Sequence, residues 1–223
     1  MIFLADTSAP LKQVEVEIGR EVGQLMTPRS RRKDAGVKFG IDNGAFAGFE
    51  EIAFVNLLER HKAAKERCLF VAAPDVVASA RRTLEAFDFW FPKLSGWPIA
   101  LVAQDGQETL EIPWNNITAI FIGGSTEWKL SPEAAQIVKC AKLLGKWVHI
   151  GRINSGLRLD YFTALHADSF DGTGLSRYSH MRHAIGNNQY LYDDAIKVTM
   201  TGEGMTCSNM HQNGMCAAYF EKK

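Results

Sequence analysis

Three observations predict that this chain folds as a compact (β/α)8 barrel of the TIM type with an irregular C-terminal tail. First, short apolar runs, each β-branched or aromatic enough to be a buried strand, alternate with helical stretches at least six times. Second, the runs FGIDNGAF, LFVAAPD, IALVAQDG, AIFIGG, WVHIGR and ADSFDG keep ending in a carboxylate, an amide or glycine at the carboxyl side. A buried strand needs no polar tip, and in a parallel α/β fold all carboxyl ends face one way. Asp42, Asp75, Gln104, Gly123, Gly124 and Asp171 are therefore expected to converge on one pocket. Third, 223 residues suffice for one domain spanning 1–223 with a real core. That length lies near the lower bound of roughly 200 residues for such barrels. An open doubly wound sheet is the alternative for the same alternation.

The elements follow in order. MIFLAD reads as the first strand, and residues 10–25 as a helix with Pro10 in its first turn. TPRSRRKDAG is a basic, turn-rich loop, and VKFGI the next strand. Residues 50–66 form an amphipathic helix in which Ile52, Val55 and Leu58 share a face with Phe54 and Leu57. LFVAA, a helix over 77–90 and IALVA come next, then an irregular stretch and AIFIGG. The following helix has the clearest punctuation: Ser131 suits the N-cap, Pro132 the first turn and Gly145 the stop. Its buried stripe is Ile137, Val138, Ala141 and Leu144. WVHIG, a helix over 155–165 and ADSFDG complete the pattern, which fades after about residue 185. Seven strands are evident; the eighth is not.

Hydrophobic content of 46%, charged content of 22% and a formal net charge of zero are ordinary for a soluble globular protein. Neutrality argues against binding nucleic acid by bulk charge and leaves only a local basic patch for that purpose. No apolar run is long enough to span a bilayer and no signal-peptide pattern opens the chain, so a cytoplasmic location is expected. Cys68 and Cys140 read as small buried hydrophobes rather than disulfide partners.

The strand tips suggest chemistry. Two carboxylates, Asp42 and Asp171, suit a double displacement at a glycosidic carbon, one attacking and the other handling the leaving group's proton. A guanine-like base presents two N–H donors beside a carbonyl acceptor. Asp75 matches the donors, while the Gln104 amide and a backbone N–H of Gly123–Gly124 match the acceptor. Phe46 follows Asp42 at a distance that suits stacking on the base. Each residue also has a plain structural reading: Asp42-Asn43-Gly44 as a turn, Asp75 as an N-cap, Gln104 as loop, the glycine pair as a tight turn. Phe46 and Ile150 equally suit core positions, and His149 a hydrogen-bonded structural role. Asp168 and Asp171 cannot both face the same way from one strand.

In their order, these segments resemble the tRNA-guanine transglycosylases and their relatives, which are TIM barrels. The family's DSGGF is similar to Asp42-Asn43-Gly44-Ala45-Phe46, with the aspartate as general acid/base and the aromatic ring on the base. Its FDEC resembles Ala73-Pro74-Asp75, and its VQGG resembles Ala103-Gln104-Asp105-Gly106, which implies that Asp75 and Gln104 read the base edge. GGLSVGE resembles Gly123-Gly124-Ser125-Thr126-Glu127, and LMGVG resembles Val148-His149-Ile150-Gly151, placing Ile150 or His149 on the far face of the base. DMFDCVxPTR is similar to the stretch from Asp168, which makes Asp171 the nucleophile and Arg177 the family's arginine. The resemblance spans roughly residues 38–180. Asn43, Ala45 and Gly172 depart from it, Gly172 standing where the family has cysteine. The family's four-ligand zinc site is not reproduced: Cys207, His211 and Cys216 lie close together, and three ligands do not close a structural site. No cofactor is therefore expected.

The chain most resembles the short phage and genomic-island enzymes that place 7-cyano-7-deazaguanine (preQ0) in DNA, which implies the host cytoplasm for a phage-encoded form. The resemblance implies DNA and a free 7-deazaguanine base as partners, with a guanosine nucleotide taken out of the stack. Arg177, Arg152 and the cluster Arg29, Arg31, Arg32 and Lys33 are the candidate phosphate contacts; the cluster also reads as a solvated surface. Three other functions fit the same residues: a tRNA-guanine transglycosylase, an N-glycosidase using water as acceptor, and a purine-binding partner subunit without activity.

Overall fold

The computed structural model describes residues 1–30 and 34–186. Eight parallel strands form a closed barrel in sequence order, β1 (Ile2–Asp6), β2 (Val22–Met26), β3 (Phe39–Ile41), β4 (Cys68–Ala72), β5 (Ile99–Ala103), β6 (Ala119–Ile122), β7 (Trp147–Ile150) and β8 (Ser169–Asp171). β1 pairs with β8, with Phe3 beside Phe170 and Leu4 beside Asp171. Around the barrel run α1 (Leu11–Ile18), α2 (Glu51–His61), α3 (Ala80–Trp90), α4 (Thr126–Lys129), α5 (Pro132–Leu143), α6 (Gly156–Ala164), α7 (Thr173–Arg177) and α8 (Ser179–Gly186). Between β5 and β6 only short 3-10 turns at Gln107–Thr109 and Trp114–Asn116 intervene.

The unassigned eighth strand is β2, which overlaps the end of the segment expected to be one helix over 10–25. Gly19 adopts a left-handed conformation (φ 65°), and its N–H closes on the Glu15 carbonyl, so α1 stops there. The chain then turns directly into Val22–Met26. In α2 the buried face is Phe54, Leu57, Leu58 and His61. Ile52, expected on that face, is 79% exposed, and Val55 also faces outward. Two overlapping apolar stripes occur in this helix, and the barrel buries only one. The punctuation of α5 is as expected: Ser131 Oγ accepts from the Ala134 N–H, Pro132 occupies the first turn, and Gly145 sits at φ 66° beyond the end. Losing such a cap costs about 1 kcal/mol.

Strand alternation divides the core in two. Phe3, Ile41, Leu101, Ile120, Val148, Ile150 and Phe170 point outward into the layer shared with the helices. Leu4, Phe70, Ala72, Ala100, Val102, Ala119 and Phe121 fill the lumen. Truncating a fully buried outward ring such as Phe170 removes about 3–5 kcal/mol. Phe70 reaches across the lumen because β3 offers a glycine there: a Cβ on Gly40 would lie 2.5 Å from the Phe70 ring. The same alternation decides the tips. Continuing the inward parity past Gly40, Val102 and Ser169 yields Asp42, Gln104 and Asp171.

Outside the β1–β8 seam, α8 packs against α1. Arg182, buried in α8, hydrogen-bonds Glu17 through Nε and the Leu175 carbonyl through Nη1 at 2.8 Å. The Arg182 hydrogen bond, with help from Gln13, holds the Glu17 carboxyl down at about 2 rather than 4.5. A depressed folded-state value stabilises fully above 4.5, and that stabilisation disappears as pH falls towards 2. Arg182→Gln is thus expected to lower the melting temperature at neutral pH yet lose less further stability across that acid window than wild type. Circular-dichroism melts against pH decide it, and parallel acid curves would refute this assignment.

Candidate active site

A cavity open to solvent lies at the carboxyl end of the strands. Asp42, Asn43, Phe46, Asp75, Gln104, Gly123, Gly124, Arg152 and Asp171 line it, with Ala72, Val102 and Phe121 as the apolar floor. Asp42, Asp75, Gln104, the glycine pair and Asp171 are thus brought together.

The turn after β3 presents the first acid. Asp42 Oδ1 accepts the Gly44 N–H at 2.8 Å, and Asn43 Oδ1 accepts the Ala45 N–H at 2.7 Å, so both side chains make turns. Turn-forming and cavity-lining are not alternatives here, because a second Asp42 oxygen remains outside the turn. Burial pushes the Asp42 carboxyl up to about 6. The Gly44 N–H opposes the shift, and the neighbouring charges of Asp171 and Asp75 add to it. Phe46, 72% exposed, stands at the rim with the Arg152 guanidinium 4.7 Å from its ring centre.

Asp75 does not cap α3, where Ser79 occupies the N-cap position. Its Oδ1 accepts from Asn43 Nδ2 at 2.8 Å and its Oδ2 from Gln104 Nε2 at 2.6 Å. Burial raises the Asp75 carboxyl, and these two hydrogen bonds oppose the rise. Asn43 also donates to the Ala73 carbonyl at 2.8 Å. The sequence around Asn43 marks a turn, and nothing in it marks Asn43 as a carboxylate's partner 32 positions ahead.

The backbone donor expected from Gly123–Gly124 is not free. Gly123 N–H bonds the Ala103 carbonyl at 2.9 Å, and Gly124 N–H bonds Gln104 Oε1 at 3.1 Å. Gln104 Oε1 also accepts the Ala78 N–H at 3.0 Å, which orients its amide nitrogen towards Asp75. Among the described side chains lining the cavity, Gln104 Nε2 has a second hydrogen beyond its bond to Asp75, and the Arg152 guanidinium has donors beyond its bond to the Gly124 carbonyl. Gly124 itself requires glycine: at φ 56° a Cβ would lie 2.5 Å from the Trp128 ring and 2.8 Å from Asp105 Oδ2.

Asp171, on the last residue of β8, is held by two donors. The Arg152 N–H reaches Oδ1 at 3.2 Å, and His149 Nε2 lies 3.1 Å from Oδ2. Arg152 adopts φ 61°, a costly conformation for a non-glycine residue, and its Nη2 donates to the Gly124 carbonyl at 2.5 Å. Lys129 supports this loop. Only 4% exposed, it donates from Nζ to the Gly151 carbonyl at 2.5 Å. Burial, with Arg152 nearby, lowers its ammonium to about 8. No sequence signal separated Lys129 from an ordinary surface lysine. Gly172 also has a reason: the Ile153 carbonyl lies 2.0 Å from where a Cβ would stand, so no cysteine fits against this loop.

Other expected site residues lie elsewhere. Ile150 is a correction: it faces outward from β7, fully buried in the layer under the helices, and does not line the cavity. His149 points into the lumen beneath Asp171, fully buried rather than on the cavity wall. Asp168 sits at the other end of β8, paired with Lys142 Nζ at 2.7 Å. Arg177 is exposed at the end of α7, outside the cavity lining. Arg29 donates to the Ala47 carbonyl at 2.8 Å, tethering the turn that carries Phe46. Arg31, Arg32, Lys33, Cys207, His211 and Cys216 lie outside the described residues. Among the described residues, no group of three or more side chains is arranged to hold a metal ion, and no helix is long and apolar enough to cross a membrane. Neither a protein-family model nor a curated protein sequence matches the chain.

Proposed function

We propose that this protein is a base-exchanging transglycosylase that replaces guanine in DNA with a 7-deazaguanine such as 7-cyano-7-deazaguanine. The observation that carries the reading is the meeting of two unlike carboxylate environments in one cavity. Asp171 is tethered by two donors, as suits a nucleophile, and Asp42 is raised to about 6, as suits a proton carrier. Asp75 and Gln104 form a fixed acceptor–donor edge beside them. In this mechanism Asp171 attacks C1′ and the bond to the guanine ring nitrogen breaks, its electron pair taking the proton of Asp42. A sugar ester of Asp171 results. The incoming base gives its ring N–H proton to Asp42 and attacks C1′ from the vacated side, freeing the carboxylate. DNA rather than tRNA follows the likeness to the short deazaguanine-inserting enzymes.

The test is base exchange. The protein is mixed with guanine-containing DNA or with tRNA and 7-cyano-7-deazaguanine, and the nucleosides are analysed by mass spectrometry. Incorporation into DNA alone supports the reading. Incorporation into tRNA alone moves the substrate to RNA, abasic sites without incorporation mean an N-glycosidase, and unchanged nucleic acid leaves a purine-binding barrel.

A further inference from the structure

Below the cavity, three side chains on β7 and β8 form a line that ends at Asp171. Trp147 Nε1 donates to Ser169 Oγ at 2.8 Å, Ser169 Oγ lies 2.9 Å from His149 Nδ1, and His149 Nε2 lies 3.1 Å from Asp171 Oδ2. An indole nitrogen can only donate, so Ser169 Oγ accepts there, and its own proton is left to point at His149 Nδ1. With Nδ1 accepting, the ring proton sits on Nε2 and faces the carboxylate. The opposite tautomer would set a bare nitrogen lone pair against a carboxylate oxygen in a buried place. The imidazole is wedged between Phe70 and Phe121, with ring centres 4.7 and 4.5 Å away, so it cannot swing aside.

We propose that His149 is a positioning residue for the nucleophile: Trp147 and Ser169 fix its tautomer, and its Nε2–H holds the Asp171 carboxylate from beneath. This rests on the transglycosylase reading for its consequence, though not for its geometry. Burial in the apolar floor keeps the imidazole below its ordinary pKa, opposing the pull of Asp171, so the group is a neutral donor rather than a counter-ion. With Arg152 N–H on Oδ1 and His149 on Oδ2, the plane of the carboxylate is set before any sugar arrives. The same two donors receive the negative charge when the sugar ester is broken in the second half of the reaction.

Two measurements test this. The first reads the tautomer in the unmodified protein by 15N imidazole spectroscopy. A neutral ring protonated at Nε2 is expected, with its Nε2 signal shifted in Asp171→Ala and a mixture of tautomers in Ser169→Ala. A ring protonated at Nδ1 in wild type overturns the proposal. The second follows formation of the covalent protein–DNA adduct on a guanine-containing oligonucleotide. His149→Phe, which keeps the ring and removes the donor, is expected to slow adduct formation about 10–100-fold with KM for the DNA little changed. His149→Gln, whose amide keeps an N–H, recovers most of that loss. Equal rates in wild type and a folded His149→Phe also overturn it. If His149→Phe does not fold, the spectra and Ser169→Ala decide. If wild type forms no adduct with DNA or tRNA, the transglycosylase reading fails, while the spectra still judge the relay.

Discussion

Asp171→Asn is expected to abolish the covalent protein–DNA adduct and to reduce base exchange about 10³-fold or more, while leaving the barrel intact. The amide has nearly the same shape as the carboxylate and its oxygen can still accept from the Arg152 N–H, while its NH2 faces His149 Nε2, so the variant loses the nucleophilic charge together with one supporting hydrogen bond. Binding of the DNA, measured by gel shift, should change little. The control is built into the site: Asp75→Asn changes a carboxylate in the same cavity, and it should weaken base selection without preventing an adduct. An Asp171→Asn protein that still forms the adduct would exclude Asp171 as the nucleophile. An adduct lost only in Asp75→Asn would move that role to Asp75.

The second large effect concerns protons. Asp42 is raised to about 6, so its two forms are comparably populated at mildly acidic pH. In the proposed mechanism guanine departure needs the protonated form and should slow as pH rises above about 6. Attack by the incoming base needs the ionised form and should slow as pH falls below the same value. The two half-reactions, separated by withholding the deazaguanine, are expected to show opposite pH limbs sharing one midpoint. Asp42→Asn should lose about 10²–10⁴-fold in both and show neither limb. Half-reactions with the same pH slope, or limbs that persist in Asp42→Asn, would remove Asp42 from the proton path.

Much of this arrangement was legible in the sequence, because a parallel barrel turns strand order into convergence. Polar tips spaced along the chain became neighbours once the strands closed. What remained hidden has physical causes. β2 follows α1 after a short turn, and Val-Gly-Gln-Leu-Met lacks both a β-branched run and a polar tip, so it merged with the helix before it. Trp147–Ile150 is apolar on both faces, which erases the alternation that would have separated inward His149 from outward Ile150. The engagement of the Gly123 and Gly124 N–H groups depends on how two loops meet, and no local pattern encodes it. Lys129 and Asn43 act through partners distant in sequence, Gly151 and Asp75.

The pairing of β1 with β8 has a kinetic consequence. Residues Ile2–Leu4 find their second neighbours only at Ser169–Asp171, so one edge of β1 has no native partner until most of the chain has been synthesised. Unpaired edges of hydrophobic strands are templates for association, and closing so large a loop precedes any reward from the contacts it makes. Asp171, the proposed nucleophile, lies on the strand that completes the ring. If the proposed activity holds, the site is incomplete until β8 pairs with β1, and appearance of the adduct-forming activity during refolding would report that closure.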